Sequence, residues 1–205
     1  VLKMSRGELK HLRGAGVSMI FQDPTMSLNP VFTIGQQMYA VIRYSGQADA
    51  ERKEYQQEMA VKALKETSMP DPERILQSYP FQLSGGMRQR ICIAMSLATP
   101  RDLVIADEPT TNLYVTIQDQ VLKILKERVE SKGSALILIT HSLGVARETS
   151  DRVYVMYAGN MVETACTKDL FAQQLHPYTK ALMDCIPRLS GGGVAEGIPG
   201  RIPNY

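Results

Sequence analysis

An α/β fold with a largely parallel sheet is the architecture this sequence predicts, and three observations predict it. Short β-branched runs (103–106, 135–139 and 153–156) alternate with segments of helical spacing. Each run is bounded by turn or cap residues and is too short for a helix. Polar residues suited to phosphate chemistry follow the runs: Gln22, Asp107 with Glu108, and Thr140 with His141. In open parallel sheets, ligands bind at the carboxyl ends of the strands.

The elements follow in order. Residues 17–21 (Val-Ser-Met-Ile-Phe) read as a first strand, ended by Gln22-Asp23-Pro24. A mostly helical stretch runs from Ile34 to Leu83, with the polar run 49–66 inside it and Pro70 and Pro72 as terminators. Gly85 and Gly86 open a helix whose apolar positions Met87, Ile91, Ala94, Met95 and Ala98 share a face, and Pro100 closes it. Residues 103–107 form a strand. Residues 116–131 form a helix with Ile117, Val121, Ile124, Leu125 and Arg128 on one face, and Gly133 caps it. A strand over 135–140, a short helix over 143–149 and a strand over 153–157 follow. The last turns at Gly159-Asn160 into 161–163. Residues 169–183 read as helix, and beyond Ser190 the chain is Gly-rich and Pro-containing, as in a flexible tail.

Composition narrows the function. With 205 residues, 44% hydrophobic and 21% charged, the chain is typical of a soluble globular domain. A net charge of +2 without a basic run argues against nucleic acid as a partner. No apolar stretch approaches the roughly 20 residues of a membrane-spanning helix, and no leader-like segment opens the sequence. Three widely spaced cysteines (Cys92, Cys166 and Cys185) fit neither a disulfide framework nor a zinc site, and suit a reducing cytosol.

Four motifs carry chemistry. Asp107-Glu108 after Leu103–Ala106 presents two carboxylates at a strand end, one suited to Mg²⁺ and the other to polarising a water. Alone, the pair also fits two solvated acids. Leu83-Ser84-Gly85-Gly86-Met87 offers a hydroxyl cap and accessible amides at a helix start, where the helix dipole favours an anion. Alone, it also fits a capped glycine turn. His141 stands where it could reach a phosphate or an attacking water, and Gln22 where its amide oxygen could meet a metal.

Taken in order, these motifs resemble those of the nucleotide-binding subunit of ABC transporters. The resemblance covers nearly the whole chain and implies a P-loop NTPase-like (RecA-like) core, a mainly parallel sheet and an α-helical subdomain. It matches Gln22 to the Q-loop and Leu83–Met87 to the signature. Asp107 corresponds to the Walker B aspartate, Glu108 to the catalytic glutamate and His141 to the switch histidine. Residues 21–30 (Phe-Gln-Asp-Pro-Thr-Met-Ser-Leu-Asn-Pro), Leu-Ser-Gly-Gly-Met-Arg-Gln-Arg and the run His176–Leu182 are similar to the dipeptide, oligopeptide and nickel importers, as is the late Gly-Ile-Pro-Gly-Arg-Ile-Pro.

The implied division is residues 1–33 as the end of an N-terminal core part, 34–83 as helical subdomain, 84–165 as core and 166–205 as C-terminal extension. The implied ligands are ATP and Mg²⁺. Gln22 and Asp107 would hold the metal, and Ser84, Gly85, Gly86, Met87 and His141 the nucleotide. The implied partners are a second ATPase subunit, membrane permease subunits and, indirectly, an extracytoplasmic solute-binding protein. The implied location is the cytoplasmic face of the membrane.

The sequence also departs from that family. No Gly-x-x-x-x-Gly-Lys-Ser/Thr phosphate loop occurs, and only 21 residues precede Gln22. The expectation is therefore a chain incomplete at its N-terminus and inactive by itself. Asn112-Leu113-Tyr114 stands where the family reads Ala-Leu-Asp, Ser142 where Asp is common, and Phe81 where His is frequent. Two alternatives stay open: a catalytically incompetent fragment or degenerate subunit contributing only the signature side of a composite site, and an ABC-type ATPase of DNA maintenance. The latter lacks support from any heptad run, cysteine cluster or basic charge.

Overall fold

The computed structural model describes residues 1–185 apart from Asn112 and Tyr114, together with Ile198. The tail after Ser190 and the Tyr114 substitution thus lie outside the described residues, save Ile198. The chain forms two compact units, residues 1–139 and 140–205.

The first unit holds a three-stranded parallel sheet in the order β1-β2-β3, built from β1 (Val17–Ile20), β2 (Leu103–Asp107) and β3 (Ala135–Ile139). Val104 faces Ser18 and Leu136 in register, and Ala106 faces Ile20 and Leu138. Side chains alternate across a sheet, so Ile20, Val104, Ala106, Leu136 and Leu138 share one face. Against it pack Ile93 and Leu97 of α6 (Gly85–Ser96 and its C-cap), and Val121, Leu125 and Val129 of α7 (Val115–Ser131). On the other face Ile137 and Ile139 remain 49% and 47% exposed. Short β-branched runs such as these suit buried strands. Among the described residues one face of β3 is covered, since α6 and α7 lie on the same side.

The segment 34–83 is mostly helical, as expected, and is made of several short elements. It contains α3 (Ile34–Arg43), α4 (Lys53–Glu66), α5 (Pro72–Gln77) and a 3₁₀ turn at Pro80–Gln82. Local chemistry sets the boundaries. Thr33 and Gln36 form a capping box on α3, with the Gln36 amide donating to Thr33 Oγ1 at 3.3 Å and the Thr33 amide to Gln36 Oε1 at 2.9 Å. Asp71 caps α5, whose first residue is Pro72. The core of these helices is Ile34, Met38, Ile42, Leu64, Ile75 and Leu76. Gly35 lets α3 approach α5, since a Cβ there would lie 2.8 Å from the Leu76 carbonyl oxygen.

Helix α6 belongs to both cores. Ile91, Ala94 and Ala98, with Met87 and Met95, face the helices as their spacing predicted. Ile93 and Leu97 face the sheet. Both faces of α6 are buried, which is why its sequence shows little amphipathic contrast. Gly133 has φ +65, as a C-terminal cap of α7 requires. Two elements were not foreseen: α1 (Arg6–His11), which continues into a π-helical turn over Leu12–Gly16, and the short α2 (Pro24–Ser27).

The second unit contains α8 (Leu143–Thr149), an antiparallel hairpin of β4 (Arg152–Tyr157) and β5 (Asn160–Cys166), α9 (Thr167–Ala172) and α10 (Pro177–Asp184). The hairpin turns at Ala158-Gly159, both at positive φ (53° and 73°), one residue earlier than predicted. Its second strand is longer than the predicted 161–163. The helix predicted over 169–183 is two helices, because Pro177 starts a new one with His176 as its cap.

Candidate functional site

In the first unit, the predicted site residues lie beyond the carboxyl ends of adjacent parallel strands and at the start of the helix packed against them. Gln22 is exposed between β1 and α2. The next residue, Asp23, caps α2 by accepting from the Thr25 amide at 2.7 Å, and that bond holds its carboxyl below the usual carboxylate range. Asp107 ends β2 opposite Ile139 of β3. Its position in the pleat puts it with Ile105, Ile137 and Ile139 on the face away from α6 and α7.

Glu108 leaves the strand with φ +45, a left-handed backbone that costs a non-glycine residue about 1–3 kcal/mol. Tertiary bonds hold it there. Its amide donates to the Ile139 carbonyl at 2.9 Å, and the Thr111 hydroxyl donates to its Oε2 at 3.0 Å. Thr111 was not foreseen as a site residue. The only sequence signal for it is a hydroxyl three residues beyond a carboxylate.

The signature segment folds as a capped helix start. Ser84 Oγ accepts from the Met87 amide at 3.3 Å. The Met87 N–H is therefore already used, and the amides left at the first turn are those of Gly85 and Gly86. A Cβ on Gly85 would meet nothing within 4 Å, so the end of the helix is open. A 12-residue helix presents donors and a positive dipole end there.

A residue the sequence reading passed over fixes the chain that follows Gln22. The Gln37 side chain on α3 accepts from the Asn29 amide at 2.9 Å. Its Nε2 donates to the Asn29 and Phe32 carbonyls, each at 3.0 Å. One side-chain amide thus pins residues 29–32 to the helical core. Nothing in the local pattern distinguishes Gln37 from a surface glutamine.

His141 lies in the second unit, just ahead of α8. There the Ser142 amide donates to Thr140 Oγ1 at 3.0 Å, and Ser142 caps α8 by accepting from the Val145 amide at 3.4 Å. Ser142 thus does the capping work for which Asp is equally suited. Elsewhere in this unit Glu163 accepts from the Leu175 and His176 amides, and His176 Nδ1 accepts from the Tyr178 amide at 3.1 Å. The Tyr178 ring meets Tyr157 at 4.6 Å between centroids.

The donor set suits a magnesium nucleotide. Among the described residues there is no group of three or more His, Cys, Asp or Glu side chains placed to hold a metal. An amide and a single carboxylate match an ion that takes its remaining ligands from phosphate and water. Among the described residues no helix is long and apolar enough to cross a membrane.

Known proteins are similar to this chain in both sequence and fold. Residues 3–111 match the ABC transporter family model, and residues 162–205 match that of the oligopeptide/dipeptide transporter C-terminal region. The chain is 45% identical to a probable peptide ABC transporter ATP-binding protein of Sinorhizobium fredii, covering 100% of this chain and 61% of that protein. It is 48% identical to the dipeptide transport ATP-binding protein DppD of Bacillus subtilis, covering 93% and 56%. It is 45% identical to the glutathione import ATP-binding protein GsiA of Escherichia coli, covering 98% and 32%. The chain therefore spans less than two thirds of the length of these relatives.

Among solved structures, the dimeric ATP-binding cassette MJ0796 bound to ADP and phosphate superposes with a TM-score of 0.70 at 25% identity, over 80% of this chain and 68% of that one. CbiO1 of Clostridium perfringens gives 0.67 at 24% identity, over 88% and 67%. With its signature helix, its carboxylate-ended strand and matches over both its halves, the chain belongs to the ABC transporter family and carries the C-terminal region of its oligopeptide/dipeptide branch.

Proposed function

We propose that these residues serve in the ATP-hydrolysing subunit of an importer of dipeptides, oligopeptides or a related small solute such as nickel. The observation that carries this reading is the pairing, within one unit, of an open Ser84–Gly86 helix start with a strand ending in Asp107 and a strained Glu108. The named relatives, ATP-binding proteins of peptide, dipeptide and glutathione transport, support the solute class.

In this reading the Gly85 and Gly86 amides and the Ser84 hydroxyl, with Met87 closing the turn, meet the γ-phosphate of an ATP gripped by a second ATPase subunit. Glu108 accepts a proton from the attacking water, and its bonds to Ile139 and Thr111 set its direction. His141 steadies the γ-phosphate. Gln22 and Asp107 would hold Mg²⁺, which neutralises charge on the β- and γ-phosphates.

Residues 34–83 form the helical subdomain that docks on the permease at the cytoplasmic face of the membrane. Residues 166–205 form the extension, and a solute-binding protein acts through the permease. Support for the docking role comes from Val31 and Phe32, exposed apolar side chains in the segment that Gln37 pins to α3 of that subdomain. Site-directed cross-linking of residues 34–83 to a co-expressed permease tests it. Labelling no heavier there than on the β4–β5 hairpin would end the docking assignment.

A second reading keeps the alternative of a catalytically incompetent subunit, since Asn112-Leu113-Tyr114 stands where the family reads Ala-Leu-Asp. In that reading the chain offers only its signature side to a composite site. Hydrolysis by a protein that joins these residues to a phosphate loop decides between the two. Mg-ATP turnover that Glu108→Gln abolishes supports the catalytic reading; turnover indifferent to that change supports the other.

A further inference from the structure

Two contacts between α6 and α7 play no part in the mechanism above. On α6, Gly86 and Arg90 are one turn apart on the same face. A Cβ on Gly86 would lie 3.1 Å from Ile117 Cγ2 on α7, so the helices nearly touch at that level. One turn on, the Arg90 Nη2 donates to Gln120 Oε1 at 2.5 Å, and its Nη1 donates to the Ser68 carbonyl at 3.3 Å. Ser68 has φ +55 just beyond α4. One guanidinium therefore joins the signature helix to α7 and to the end of α4.

We propose that Arg90 and Gln120 are a positioning pair that fixes how the Ser84–Gly86 helix start is presented relative to the Asp107–Glu108 loop, from which the chain enters α7. The inference rests on the ATPase reading for its functional consequence. Its geometry stands apart from that reading. A helix held at one point can rock about it. A second hold one turn away, about 6 Å along the axis, removes that freedom. The Gly86 contact sets the separation of the helices and the planar guanidinium fork sets their rotation. A displacement of the helix start by about 1 Å would misdirect its amides enough to slow phosphoryl transfer.

The test uses a protein that joins these residues to a phosphate loop, with Arg90→Met, Gln120→Leu, the double variant and Gln120→Glu. The carboxylate of Gln120→Glu can accept the same bond. Expected is a fall in kcat of about tenfold for either single variant, with KM for ATP within about twofold. The double variant should match the singles, and Gln120→Glu should approach wild type. Hydrogen exchange of the amides of residues 85–90 should quicken about tenfold in Gln120→Leu, while α3 stays unchanged. A merely structural role would lower the melting temperature without this kcat-against-KM split. Multiplying losses in the double variant, or unchanged exchange at 85–90, would overturn the pair. If the wild type hydrolyses no ATP, the ATPase reading fails, and the exchange measurement alone decides the pairing.

Discussion

The backbone amide of His176 donates to Glu163 Oε2 at 3.1 Å, joining the start of α10 to the middle of β5. The Leu175 amide takes the other oxygen at 2.9 Å. One carboxylate on the hairpin thus anchors the His-Pro-Tyr-Thr run, which otherwise reads as a sequence signature without a role. His176 then caps α10, and Tyr178 packs on Tyr157.

This anchor has a pH dependence. The Thr179 hydroxyl, followed by the Leu175 and His176 amides, holds the Glu163 carboxyl below its ordinary value. A depressed folded-state value stabilises the protein above the unfolded carboxyl range, and that stability is lost as pH falls through the folded value. Glu163→Gln should lower the melting temperature by a few degrees at pH 7 and flatten its decline below about pH 4.5. Thermal melts of both proteins between pH 3 and 7 check this; parallel curves would show that the carboxylate charge contributes nothing.

Glu108→Gln keeps the size of the side chain and its acceptor oxygen for Thr111 but removes the base. In a protein that joins these residues to a phosphate loop, the hydrolysis rate should fall on the order of 10²–10⁴-fold. Affinity for Mg-ATP should stay within a few-fold. Wild-type turnover in this variant would remove Glu108 from the chemistry.

The 205-residue chain by itself should bind Mg-ATP weakly and hydrolyse it negligibly, because a phosphate loop supplies most of the grip on the β- and γ-phosphates. Isothermal titration measures this. Micromolar affinity would mean that the nucleotide is held by residues other than those named above.

Gly35→Ala should destabilise the first unit by about 1–3 kcal/mol, since the added Cβ would meet the Leu76 carbonyl oxygen, a backbone atom that cannot swing aside. Urea denaturation followed by circular dichroism gives the value. A neutral effect would mean that α3 and α5 can separate at little cost.

Burial pushes the Cys92 thiol up to about 12, whereas Cys166 is exposed. Since the thiolate is the nucleophile, a thiol reagent at pH 8 should modify Cys166 in the folded chain and reach Cys92 only on unfolding. Peptide mapping after timed labelling distinguishes the two. Rapid labelling of Cys92 would show that the face of α6 against the helices opens readily.

Much of the local geometry of the candidate site was legible in the sequence because its parts are local. A cap residue before two glycines, or two acids closing an apolar run, is specified by neighbours a few residues apart. Such short patterns survive in the fold: Ser84 caps α6, and Asp107 ends β2. Most contacts that orient these parts are not local. Gln37, Arg90 and Gln120 are ordinary polar residues at ordinary helix positions. Their roles come from partners that only the packing brings near.

The alternation of strands and helices from residue 103 to 157, the Ser84 and Gly133 caps, the Asp-Glu strand end and the family were determined by the sequence alone, since each depends on periodicity, propensity or a contiguous motif. Tertiary structure alone decided that α6 is shared by two cores and that one face of the sheet is covered. It also set the left-handed backbone of Glu108 and the anchoring of the His176 segment by Glu163. The physical reason is that periodicity shows which face of an element is apolar but not what lies opposite it. A hydrogen bond between residues 30 apart, such as Arg90 with Gln120, exists only once both helices have packed.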